Sequence, residues 1–119
     1  MTGGPRPTLT VIAGPNGAGK STLTASLHDS LHVPVIDPDA IARRLHPSAP
    51  EQAAMATGRE AIRRQTQYLA SGASFAVETR LAGASMLRYM QQARQHGFIV
   101  HLIYIGIENV ETTISVVGH

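Results

Sequence analysis

The chain has 119 residues, room for one domain around one core. It contains no cysteine, which excludes disulfides and thiolate metal sites. Ten basic against eight acidic residues leave a net charge of +2 with no lysine- or arginine-rich run, so no nucleic-acid surface is expected. No apolar run reaches the length of a membrane span and no signal peptide is evident, so a cytoplasmic protein without a membrane partner is expected. Aromatic content of 4% predicts a core built from Val, Ile, Leu and Ala.

Residues 1–8, with Gly3-Gly4, Pro5 and Pro7, read as a flexible lead-in, and residues 9–119 as one domain. Residues 9–13 are short, apolar and β-branched, the pattern of a buried parallel strand. Residues 20–31 carry Leu23, Leu27 and Leu31 at a spacing of four, which predicts an amphipathic helix. A second strand follows at residues 33–36, where Pro34 removes a backbone donor and so places it at an edge or begins it. Asp37-Pro38-Asp39 is a turn sequence before a short helix over residues 40–45. A longer helix is predicted across residues 51–71, with Ala54, Ile62 and Leu69 on its buried stripe and Gly72 as its cap. Residues 74–78 read as a strand, 86–96 as a helix closed by Gly97, 98–105 as an apolar strand, and 108–115 as the start of another helix. Strands alternating with helices predict an α/β fold with a mostly parallel sheet and helices on both faces.

Between the first strand and the first helix stand Gly14, Pro15, Asn16, Gly17, Ala18, Gly19, Lys20 and Ser21, followed by Thr22. They fit G-x-x-x-x-G-K-[ST], and strand, glycine turn and helix are the context this phosphate-binding loop requires. Its successive N–H groups would cradle phosphates at the positive end of the helix. Lys20 would reach the β- and γ-phosphates, and the Ser21 hydroxyl would ligate Mg²⁺.

Ligands of parallel sheets bind at the carboxyl ends of the strands. The phosphate loop, Asp37 and Asp39, and Glu78 and Thr79 each follow or end a predicted strand, so they converge on one edge. Asp39 has two readings, general base for a hydroxyl acceptor or N-cap of the helix after it. Asp37 either turns the corner or meets Mg²⁺ through water. Glu78 would bind substrate or hold the metal's water shell, and Arg80 follows it toward the cleft. His28 and His32 stand four apart, but no carboxylate spacing completes a metal site, so solvated or capping roles are expected.

The ordered set of residues 14–23, 36–42, Gly58-Arg59-Glu60, 74–79 and 97–104 resembles zeta-toxin-like P-loop kinases along nearly the whole chain. The resemblance implies a P-loop NTPase three-layer sandwich and transfer of phosphate from ATP or GTP, with Mg²⁺, to a hydroxyl of UDP-N-acetylglucosamine. It implies that Asp39 is the catalytic base, that Lys20 acts on the phosphates, and that Glu78 and Thr79 bind substrate. A toxin of this kind would have an antitoxin as partner. The chain departs from the pattern at Arg80-Leu81-Ala82. It also stops where relatives continue into an arginine-bearing lid and a fifth parallel strand, so both are expected to be missing and an apolar sheet edge left open. Loss of a lid arginine costs about 10³–10⁵ in rate. The alternatives are a nucleotide-binding remnant that transfers nothing, and a polynucleotide kinase, which would need a basic channel.

Overall fold

The structure is a computed structural model that describes residues 6–14, 22, 25–26, 29, 32–79, 84–105 and 111–116. The apolar, β-branched runs become strands: β1 (Thr8–Ala13), β2 (Val35–Ile36), β3 (Phe75–Thr79) and β4 (Ile99–Ile105). They are parallel and ordered β2-β3-β1-β4. Between them run α1 (Pro38–Leu45), a 3₁₀ turn (Pro50–Ala53), α2 (Ala54–Ser71) and α3 (Ala84–Gln95). The α/β reading, with a mostly parallel sheet, therefore holds. Pro34 precedes β2, which lies at the sheet's edge, and its carbonyl accepts from the Ala76 N–H at 2.9 Å. Thr22, Ala25, Ser26 and Asp29 are helical and exposed, and their spacing marks the solvent face of the first predicted helix.

The segment read as the start of a fifth helix is, over its described residues, instead a strand, β5 (Glu111–Val116), antiparallel to β4. Thr112, Thr113, Ile114 and Val116 are β-branched and lose side-chain freedom in a helix. The far side of β4 offers them unpaired N–H and C=O groups. The edge expected to stand open is thus covered by a fifth strand, although not a parallel one. β1 begins at Thr8, whose N–H donates to Ser74 Oγ at 2.9 Å, and the Pro7 carbonyl accepts from the Ile99 N–H at 2.9 Å.

One sheet face carries Leu9, Val11, Ile36, Phe75, Val77 and Val100, packed against Ile41 of α1, Leu69 of α2 and Met90 and Ala93 of α3. Both phenylalanines, Phe75 and Phe98, sit in this core, with Tyr68 and Tyr89 packed against it, while Tyr104 is exposed. Phe75 meets Phe98 edge-on at 5.8 Å and Tyr68 at 5.0 Å. On the other face Ile12 and Ile105 are 0% and 5% exposed. Among the described residues no helix is long and apolar enough to cross a membrane.

α2 turns differently from its predicted stripe. Ile62 is 63% exposed, while Thr57, Gln65 and Leu69 are buried with Ala61 packed beside them. The buried row runs in steps of four and takes two polar residues with it. Gly72 ends the helix as expected, left-handed at φ 70°, with its N–H on the Tyr68 carbonyl.

The polar face holds Glu60 between two arginines. Arg63 donates to it at 2.9 and 2.6 Å and Arg64 at 2.7 Å. The Arg63 hydrogen bonds first, then those from Arg64, hold the Glu60 carboxyl down from its ordinary 4.5 to about 2. A depressed carboxylate stabilises the fold above its unfolded value and loses that contribution as pH falls through the folded one. Urea midpoints should therefore decline between pH 4.5 and about 2 more steeply in the wild type than in Glu60→Gln. Parallel curves for the two proteins would remove this role from Glu60.

Candidate functional site

Because β1 to β4 are parallel, their carboxyl ends share one edge. The chain leaves β1 there through Gly14. Its φ of 154° disfavours side chains, and a Cβ would collide with the Ile105 carbonyl oxygen. Its N–H donates to the Thr79 carbonyl at 3.1 Å. The first residue of the glycine motif is therefore wedged between the ends of β3 and β4. Pro15, Asn16, Gly17, Ala18, Gly19, Lys20 and Ser21 lie outside the described residues, and Thr22 is helical and exposed.

β3 places its two candidate residues beside the loop. Glu78 pairs in register with Ile12 and Thr79 with Ala13. Glu78 is 8% exposed, a buried carboxylate one residue before Thr79, whose carbonyl holds Gly14. β2 pairs Ile36 with Val77, so Asp37 follows at the level of Glu78. The convergence expected from sequence holds for Gly14, Asp37, Glu78 and Thr79. Arg80 and His28 lie outside the described residues.

The two aspartates around Pro38 divide the work. Asp37 is the N-cap: its Oδ1 accepts from the Asp39 N–H at 3.0 Å and the Ala40 N–H at 3.3 Å. Pro38 takes the first helical position, where its missing donor and fixed φ suit the helix. Of the two readings of Asp39, capping is thus taken by its neighbour. Asp39 is half-buried in the wall of a cavity of about 610 Å³ between α1, the 3₁₀ turn and α2.

Thr57 lines the same cavity from α2. It is 7% exposed, and its Oγ1 is buried without a hydrogen-bond partner. It was not singled out from the sequence, although its place four residues before Ala61 on the buried row is the signal that could have found it. Among the described residues no group of three or more His, Asp or Glu stands together as a ready metal cluster. A hard cation held through a hydroxyl, water and phosphate oxygens needs no such cluster. The buried Glu78 carboxylate beside the loop is an oxygen donor suited to Mg²⁺.

Comparison with known proteins agrees with this geometry. A protein of uncharacterised function from Haemophilus influenzae is 39% identical over 102 residues, covering 86% of this chain and 72% of that one. A crystal structure from Chloroflexus aurantiacus, provisionally described as a kinase, superposes with a TM-score of 0.71 at 20% identity. That match covers 87% of this chain, which spans 61% of the length of that structure. It shows a shared fold, a mostly parallel α/β sheet. Residues 9–109, from the first strand past the end of β4, match the AAA domain family, and the chain belongs to that P-loop NTPase-like family.

Proposed function

We propose that the chain is a zeta-toxin-like kinase domain that transfers the γ-phosphoryl group of ATP or GTP to a hydroxyl of a small molecule such as UDP-N-acetylglucosamine. The observation that carries this reading is the division between the aspartates. Asp37 caps α1, and Asp39 stands in a cavity wall near the phosphate-loop edge, where a base for a hydroxyl acceptor belongs. Gly14 to Thr22 would hold the nucleotide, with Lys20 on the β- and γ-phosphates. Ser21 and Glu78 would hold Mg²⁺ and its water shell, and the bound ion would neutralise charge on the phosphates. Thr79 would orient the acceptor beside Glu78. In a toxin the expected partner is an antitoxin that covers this nucleotide site. The aromatic-free cavity wall and the absence of a basic run speak against a polynucleotide acceptor.

The reading is tested by calorimetric titration with ATP and Mg²⁺. Lys20→Ala should weaken binding at least tenfold, about 1.4 kcal/mol or more, without loss of folding. A folded wild type that binds no nucleotide would sink the proposal.

A further inference from the structure

The two edges of the sheet are built differently. At one edge stands β2, two residues long and preceded by Pro34, which has no N–H to offer. Short edge strands and proline are devices that keep a sheet edge from pairing with another chain. At the other edge stands β5, six residues long, and among the described residues no strand pairs with its outer side. It carries none of those devices. Its register with β4 is one-to-one from Glu111 to Val116, so no bulge turns it aside. Its sequence holds no proline and no lysine, and its one charged residue, Glu111, stands at its start. Half of its N–H and C=O groups point away from β4, as they do along any edge strand of an antiparallel pair.

The ligand that fits such a row of backbone groups is another strand. We propose that β5 pairs with β5 of a second copy of this chain, antiparallel about a two-fold axis perpendicular to the sheet. Pairing β5 with the β2 edge of another copy would propagate without closing, and the short, proline-headed β2 resists it. β5 on β5 is isologous and closes at two copies. Charge selects the antiparallel sense. A parallel pair in register would set Glu111 beside the partner's Glu111, whereas the antiparallel pair carries it toward the other end of the partner strand. The axis keeps each sheet face continuous with the same face of its neighbour, so residues of like parity pair and the axis passes at Thr113 or Ile114.

Two five-stranded sheets thereby become one. β1 of the two copies runs in opposite directions, so the two Gly14 edges lie at opposite ends and the interface leaves both open. An edge of six residues is small, which makes this a weak, reversible dimer rather than an obligate one. Pairing of this kind does not depend on the kinase reading.

Sedimentation equilibrium of the full chain from about 10 μM to about 1 mM should show the 12.7 kDa species giving way to one of twice that mass. Thr113→Lys sets a charge close to its own image at the axis and should raise the dimer Kd at least about tenfold. Its circular dichroism and thermal midpoint at the lowest concentration should match the wild type. A second measurement reads the geometry without that charge. The chain contains no cysteine, so Thr113→Cys carries a single nitroxide label. At high concentration the label-to-label distance should fall below about 20 Å, since facing strand residues have Cα atoms about 5 Å apart. A label on Arg59→Cys, in α2 toward the β2 edge, should give no distance that short. A chain that stays monomeric to about 1 mM, or a dimer unweakened by Thr113→Lys, overturns the assignment. So do species that keep growing with concentration, the mark of β5 on β2, and long Thr113 label distances within a dimer, the mark of a different face.

Discussion

Gly14→Ala should lower the thermal midpoint by roughly 10 °C and abolish nucleotide binding. Two costs add at this position. The backbone is at φ 154°, where an L side chain is strained, and the new Cβ meets the Ile105 carbonyl oxygen, which is backbone and cannot swing away. Together they amount to about 2–4 kcal/mol. Relief requires β1 and β4 to separate, or Gly14 to leave the Thr79 carbonyl. Either movement shifts the start of the phosphate loop, so binding falls with stability. Gly58→Ala is the control. Gly58 lies inside α2, and a Cβ there meets nothing within 4 Å, so the variant should gain about 0.5–1 kcal/mol from helix propensity. The midpoints are read by scanning calorimetry and nucleotide binding by titration. Equal midpoint shifts for the two substitutions would remove Gly14 from its place between β3 and β4.

What could be read from the sequence follows from which forces are local. β1 and β3 are buried along most of their length, and β4 is apolar at every position but His101 and Tyr104, so their apolar runs announce them without tertiary information. The glycine motif is equally local, because strand, turn and helix are contiguous. Glu78 and Thr79 were legible as strand-end residues, and parallel order then brought them to Gly14. The segment that became β5 was not legible in this way. Its β-branched residues tolerate either state, and the deciding partner, the edge of β4, is supplied by the folded sheet. Ile62 was misplaced, and Thr57 passed over, for a related reason. The apolar letters of α2 favoured a stripe through Ile62, whereas the helix rotates to bury Thr57 and Gln65. One of those polar residues lines the cavity beside Asp39, so the local pattern failed where the candidate site lies.

Asp37 and Asp39 could not be told apart by type or by spacing, since either carboxylate can cap a helix. The geometry separates them and predicts opposite phenotypes. Asp37→Ala removes an oxygen that accepts from two N–H groups at the start of α1, and should cost about 1 kcal/mol in stability. Asp39→Asn leaves that cap intact, because Asp39 contributes only its backbone N–H to it. The variant should melt close to the wild type and bind ATP as tightly. Its transfer of labelled γ-phosphoryl to UDP-N-acetylglucosamine should fall about 10²–10⁴-fold, the contribution of a positioned base. Moderate loss of stability with turnover largely kept in one variant, and the reverse in the other, is the signature of a cap beside a base. If Asp37→Ala abolished transfer at unchanged stability while Asp39→Asn only melted earlier, the roles would be exchanged. The acceptor hydroxyl would then have to lie at the Asp37 side of the sheet edge, level with Glu78, rather than in the cavity between α1 and α2.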